Sequence, residues 1–387
     1  MSGIEKMALL HHGGRLRIAI SQFGGNENDW LDLSTGVSPW HFPVPELPTS
    51  CWNRLPEEDD GLIPAADGYY GGHNALPVAG SQAAIQCLPN VLAKRRGSAG
   101  VVLLPRVGYK EHERAWCMQG WQIEYYGTDS IGDEHNSAAS MANVYEADVY
   151  KKGVYKKDNF QQPSTQQLAR CDVLLVINPN NPAAHLIPRA TLHAWLVELS
   201  AKGSVLVVDE AFMDMTPDQS LLPITENNLI VLRSIGKFFG LAGIRAGFVY
   251  APKDIRESLQ TQLGPWCLNG PARQICKLAL ADMDWQQAQL TRLHTASQRL
   301  KRLLSTLPGA IVGSALFQTI YLANAPVWYE RLCRHHILTR LTDEQDALRF
   351  GLPANELQWE KLTHALQTLI FSNMAGESRD QDDRSHD

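Results

Sequence analysis

Short apolar runs bounded by turn residues recur between about residue 100 and residue 250: Val101–Leu104, Val173–Ile177, Val205–Val208, Leu229–Leu232 and Gly247–Tyr250. Their apolar residues are continuous rather than alternating, the pattern of strands buried on both faces of a parallel or mixed sheet. Helical patterns separate several of them. Leu192, Trp195, Leu196 and Leu199 fall at i, i+3, i+4 and i+7, one apolar stripe, with Pro188 near its start and Gly203 past its end. A helical run also begins at Gly80-Ser-Gln-Ala-Ala-Ile85 and ends near Leu92. Strands alternating with helices of this length predict an α/β domain. From about Pro252 the texture changes: Trp285–Leu307 predicts a long amphipathic helix and Ala315–Leu322 a strand, so a smaller α+β unit is expected to follow. The expected divisions are 1–50, an arm joining the small domain; 51–258, the large domain; 259–374, the small domain; and 375–387, a polar tail without fixed structure.

Composition narrows the class. A chain of 387 residues with 44% hydrophobic and 20% charged residues is long enough for one large and one small core. A net charge of -6 gives no electrostatic reason to bind nucleic acid or an anionic membrane. No apolar run approaches the roughly 20 residues of a membrane helix, and Met1–Leu10 is too short in apolar residues for a secretion signal. Seven scattered cysteines with no CxxC pair fit reduced thiols in the cytoplasm. His11-His12 and His335-His336 lack a completing ligand set, so no metal is expected. Residues 128–165, with lysines 151, 152, 156 and 157 beside Tyr150 and Tyr155, are expected to form a solvated insertion.

The segment Ser234-Ile-Gly-Lys-Phe-Phe-Gly-Leu-Ala-Gly-Ile-Arg-Ala-Gly247 carries the strongest chemical signal. A lysine in a small-residue loop directly after a buried strand is either a surface lysine in a turn or an amine held inside for Schiff-base chemistry, and the apolar, glycine-rich surroundings favour the second. Ser234 and Arg245 flank Lys237 at spacings from which both could reach one phosphate. Asp209 ends the buried run Ser204–Asp209, where α/β sheets place ligand contacts, although a carboxylate there also caps helices. Asn178-Pro-Asn-Asn-Pro182 follows another strand; 28 residues separate Asn181 from Asp209 and again Asp209 from Lys237. Successive strand ends could therefore deliver three polar groups to one sheet edge. Ser81 and Gln82 open a helix, a ready phosphate site as well as an ordinary cap. Tyr109, after Val101–Leu104, is a candidate to stack on a flat ring.

Taken in order, these segments resemble the fold-type I pyridoxal-phosphate (PLP) enzymes, the class I/II aminotransferase superfamily. The resemblance covers about residues 12–372 and implies an aspartate-aminotransferase-like fold: a large α/β/α domain with a mostly parallel mixed sheet, and a smaller α+β domain. It implies PLP as cofactor, with Ser81, Gln82, Ser234 and Arg245 on its phosphate, Tyr109 on its ring, Asn181 on O3′, Asp209 on N1 and Lys237 joined to it covalently. Arg349, in Leu-Arg-Phe-Gly-Leu352, matches the arginine that clamps a substrate carboxylate, with Arg340 a second candidate. His12-Gly-Gly14, Trp30-Leu-Asp-Leu-Ser-Thr-Gly-Val-Ser-Pro39 and Trp52-Asn-Arg-Leu-Pro56 resemble the cobalamin-biosynthetic branch, the threonine-phosphate decarboxylases and related CobC proteins. From that branch follow L-threonine O-3-phosphate as substrate, decarboxylation to (R)-1-aminopropan-2-ol O-phosphate, His12 as a substrate contact, and a homodimer. The alternatives are an aminotransferase of the histidinol-phosphate type, or a binding protein of this fold without turnover. The chain departs from the superfamily at Phe212, where a tyrosine usually donates to O3′, and at Leu55, where many relatives carry a tyrosine that reaches the neighbouring subunit. Gly36 and Ser38 stand where decarboxylases of the branch often have asparagines.

Overall fold

The computed structural model describes residues 13–127 and 162–383, with side chains to residue 371. His11-His12 and the lysine-rich stretch 151–157 lie outside the described residues. At the end of the insertion, Ser164 caps the helix Thr165–Arg170 in a reciprocal box with Gln167.

The larger unit spans Phe42–Gln287. Its seven-stranded sheet runs in the order Leu76–Val78, Gly247–Tyr250, Leu229–Ser234, Val205–Asp209, Val173–Ile177, Val101–Pro105, Gln122–Tyr126. Gly247–Tyr250 is antiparallel to both neighbours, and the other pairs are parallel. All five strands legible as apolar runs are present. The three central ones, Val173–Ile177, Val205–Asp209 and Leu229–Ser234, are buried at every residue. The two edge strands carry no such run: Gln122–Tyr126 is only partly buried, and Leu76–Val78 is short and holds Pro77, which an edge tolerates. Ile85, Leu88 and Leu92 of the helix Ser81–Arg96 share a core with Val102, Leu104, Val207 and Ile230. Each such buried side chain contributes roughly 1.5–3 kcal/mol, which fixes the register of the strands.

That register positions the site. Ile177 lies opposite Asp209, and Asp209 opposite Leu232, so the parallel strands end together. Gly247 faces Ser234 on one side and Val78 on the other, which brings the start of the helix Ser81–Arg96 to the same place.

The second unit joins the chain up to His41 to the chain from Ala288 onward. Its four-stranded antiparallel sheet runs Arg340–Leu341, Ala347–Gly351, Phe317–Leu322, Gly309–Gly313, and Leu31–Asp32 pairs in parallel with Ile337–Leu338. The units divide after His41 and after Gln287, within the helix Met283–Leu304, rather than at residues 50 and 258. The reason is packing: Ile255 and Leu259 of the helix Lys253–Leu263 enter the core of the larger unit. The last helix, Glu356–Asp383, continues into the stretch expected to lack structure. Ala375, Glu377, Arg379 and Gln381 are all good helix formers, and no proline interrupts them. No described helix is long and apolar enough to cross a membrane.

Candidate active site

The first part of the site is a cradle of small residues. Gly80, in a left-handed conformation (φ 74°), caps the helix Ser81–Arg96 without a side-chain hydrogen bond, so that the helix N-terminus presents backbone N–H groups and positive potential. A Cβ on Gly80 would sit 2.9 Å from Nη2 of Arg245, which places that guanidinium directly over the helix start. A Cβ on Gly247 would sit 2.7 Å from the Ser81 nitrogen and 2.8 Å from the Arg233 oxygen. Arg245 itself is left-handed (φ 53°), an uncommon conformation for a side-chain-bearing residue that collects at functional sites. Its Nη1 donates to the Ala242 carbonyl at 3.1 Å. Ser234, ending its strand, accepts from Gly236 N at 3.3 Å, which turns the loop back toward Arg245. Backbone donors, two serine hydroxyls and a guanidinium around glycine-lined space fit a phosphate ester. Gly247→Ala would push backbone against backbone here. We expect it to weaken binding of a phosphorylated cofactor at least tenfold and to lower stability by about 1–3 kcal/mol, read by cofactor titration and thermal unfolding.

Asp209 stands at the end of its strand, 4% exposed. Its Oδ1 accepts from Ala211 N at 3.0 Å, and its Oδ2 lies 2.9 Å from His112 Nε2. An ionised carboxylate only accepts, so Nε2 is the donor. His112 is buried as well, and its Nδ1 has no hydrogen-bond partner among the described residues. The pair fixes the orientation of the carboxylate. Replacing His112 by alanine strips Oδ2 of that donor, at a cost of about 1–3 kcal/mol. We expect lower cofactor affinity in His112→Ala, with partial recovery in His112→Asn, both measured by cofactor titration.

The loop after Val173–Ile177 is pinned by its own asparagines. Asn178 donates to the Ile187 carbonyl and accepts from Ile187 N, at 3.0 and 2.8 Å. Asn180 donates to the Val107 carbonyl at 2.9 Å and accepts from Ala183 N at 3.0 Å. These bonds fix the backbone that carries the half-buried Asn181. Lys237, also half-buried, holds its Nζ 5.3 Å from the centre of the buried Phe212 ring. The amine is therefore neither a freely solvated surface group nor a fully buried one. Gln82 differs from expectation. Its side chain turns to Tyr109, whose hydroxyl donates to Oε1 at 3.1 Å, while Nε2 donates to Glu111 Oε2 at 3.0 Å.

Sequence reasoning missed His112 and Glu111, although Tyr109-Lys-Glu-His112 begins four residues past the strand end at Pro105, where site residues gather. It also missed a buried ionic cluster. Arg233 Nη1 meets Glu210 Oε2 at 2.7 Å and its Nη2 meets Asp214 Oδ1 at 3.2 Å. The Arg233 guanidinium lies 4.3 Å from the centre of the Tyr70 ring.

In the second unit, Arg349 is 7% exposed and donates through Nη2 to the Ser34 carbonyl at 2.5 Å. A Cβ on Gly13 or Gly351 would strike the Ser34 or Thr35 carbonyl, so both glycines let this loop lie close. Arg340 pairs with Arg349 in register and donates to Asp343 Oδ1 at 2.8 Å. Burial and then the Arg340 charge push Arg349 down to about 10, against the pull of Asp32, so it remains a cation at neutral pH. Burial, followed by the neighbouring Arg15, also lowers Arg340, against Asp343. A buried cation with a second, half-buried one opposite it on the neighbouring strand favours an anionic ligand. His12 lies outside the described residues.

Residues 71–343 match the family described as "Aminotransferase class I and II". Over 92% of its length the chain is 44% identical to the threonine-phosphate decarboxylase of Pseudomonas aeruginosa, covering 97% of that protein. It is 35% identical to the threonine-phosphate decarboxylase of a Sinorhizobium species, covering 92% of this chain and 97% of that one. Among solved structures it shares the fold of histidinol-phosphate aminotransferase from Sinorhizobium meliloti in complex with pyridoxal-5'-phosphate. That likeness has a TM-score of 0.70 at 18% identity, over 95% of this chain and 100% of the other.

Proposed function

We infer, for a chain that belongs to the aminotransferase class I and II family, a PLP-dependent decarboxylase that converts L-threonine O-3-phosphate to (R)-1-aminopropan-2-ol O-phosphate and carbon dioxide. One observation carries this reading. A phosphate cradle, an amine and a buried carboxylate stand at one edge of one sheet, in a chain that resembles threonine-phosphate decarboxylases along nearly its whole length.

PLP, when bound, supplies a cationic ring that accepts the electron pair released as a bond at the substrate Cα breaks. The rest is the work of the protein's own groups. Ser81, Ser234, Arg245 and the backbone of the helix start hold the phosphate. Asp209, its Oδ2 oriented by His112, keeps the ring nitrogen protonated. Tyr109 would stack on the ring, and Asn181 would bond the phenolic oxygen. Phe212 offers no hydroxyl, and its ring centre stands 5.3 Å from Lys237 Nζ. Lys237 Nζ would hold the cofactor and would deliver the proton that takes the place of the carboxylate on Cα. Arg349 and Arg340 are assigned to the anionic groups of the substrate. Their hold on the substrate carboxylate would decide between decarboxylation and transamination.

We also assign a homodimer. Val44, Trp52, Leu55 and Trp266 are exposed apolar side chains, and with Arg245 they line a groove of about 750 Å³. The function is tested by adding L-threonine O-phosphate, with no keto acid, to the PLP-loaded protein. One carbon dioxide per substrate, with the original cofactor spectrum restored, is expected. Conversion to the pyridoxamine form without carbon dioxide would make the chain an aminotransferase.

A further inference from the structure

Beyond the residues so far given roles, we propose that Glu111 is a positioning residue for the cofactor ring, acting through Gln82 on Tyr109. The inference rests on the PLP reading and deepens it.

Three side chains form a directed chain of hydrogen bonds. The Tyr109 hydroxyl donates to Gln82 Oε1 at 3.1 Å, and Gln82 Nε2 donates to Glu111 Oε2 at 3.0 Å. The direction is set at its far end. An ionised carboxylate has only acceptor sites, so the NH2 end of the amide faces Glu111 and the oxygen faces Tyr109. The tyrosine hydroxyl is thereby made a donor. Without the carboxylate the amide is free to turn over, and Tyr109 is then free to accept instead. The two arrangements differ in what they do to the ring. Donation along a chain that ends on a negative charge draws the O–H proton outward and enriches the ring in electrons. An electron-rich face is the better partner for a cationic pyridine ring. The same chain ties Tyr109 to residue 82 of the helix whose start forms the phosphate cradle, so ring and phosphate are held by one connected unit.

Helix stabilisation alone does not account for Glu111. It does lie in the first turn of the helix Lys110–Met118, where a negative charge is favourable. Yet it is only 7% exposed, and Arg114 Nη1, one turn along the helix, stands 3.9 Å from its Oε1. An exposed glutamate would serve the dipole without the cost of burial.

The test uses the full-length protein and four variants: Glu111→Ala, Glu111→Gln, Gln82→Ala, and the double variant Glu111→Ala with Gln82→Ala. Two readouts are taken, the PLP dissociation constant by absorbance titration and the Tm of the apoprotein. Glu111→Ala is expected to weaken PLP binding on the order of tenfold. Glu111→Gln, which keeps an acceptor without the charge, should fall between it and the unaltered protein. The double variant should bind PLP no more weakly than Gln82→Ala, because the effect of Glu111 passes through that amide. Additive losses in the double variant would overturn the proposal, as would a lower apoprotein Tm in Glu111→Ala with PLP affinity unchanged. Absence of PLP uptake by the unaltered protein would instead sink the cofactor reading, and this inference with it.

Discussion

Lys237→Ala is expected to lower kcat by on the order of 10⁴-fold or more, since in the proposed function one amine supplies both the covalent hold on the cofactor and the proton for Cα. The fold should scarcely notice. Lys237 is half-buried in the turn after Leu229–Ser234, and its contact with the Phe212 ring is worth about 0.5–1 kcal/mol. The phosphate cradle does not involve Lys237, so PLP should still bind, more weakly and without a covalent link. Steady-state turnover, thermal unfolding and equilibrium dialysis against PLP separate these effects. Turnover within tenfold of the unaltered protein would remove Lys237 from the chemistry.

Arg233→Met is expected to have the largest effect on stability. The guanidinium is 2% exposed and faces two buried carboxylates, Glu210 and Asp214. Glu210 is also held by Ser220 Oγ at 2.5 Å and Leu221 N at 2.9 Å, so it cannot swing out to solvent. Removing the cation leaves buried negative charge uncompensated, at a cost of about 3–5 kcal/mol. The loss should depend on pH. Burial already raises the Asp214 carboxyl above its ordinary range, opposed by Arg233. A carboxyl raised in the folded state favours folding while it is protonated, and that contribution is lost as pH rises through the folded value. Without Arg233 the carboxyl rises further, so the Tm deficit of Arg233→Met should be smaller at pH 5 than at pH 8. A deficit that is equal at both, or larger at pH 5, would contradict the assignment. Arg233 and Glu210 also join two adjacent strand ends, each next to a site residue, so cofactor affinity should fall with stability.

Much of this site is legible in the sequence because its residues follow buried strands directly. Parallel strands in register end together, so Asp209, Asn181 and the Ser234–Lys237 turn reach one edge once the apolar runs are recognised. The small residues around Arg245 show in the same way, since only glycine lets backbone approach the helix start so closely. What the sequence hides are pairings across long separations. His112 and Asp209 are 97 residues apart, and Tyr109-Lys-Glu-His112 reads locally as the polar start of a surface helix. Arg233 reads as the first polar residue beyond an apolar run, whereas the strand continues through it to Ser234 and buries it. Gln82 was legible as a residue at a helix start, but its side chain is claimed by Tyr109 and Glu111 rather than aimed at the cradle. The edge strand Gln122–Tyr126, partly exposed and paired on one side only, lacks the continuous apolar pattern that marks the centre.

The central claim is that this sheet edge holds PLP through Lys237. It is tested most directly by loading the protein with PLP, reducing it with borohydride, and mapping the modified peptide by mass spectrometry. A single pyridoxyl group on the Lys237 nitrogen, one per chain, is the expected result. A group on another lysine, or none after loading with excess PLP, would contradict the account.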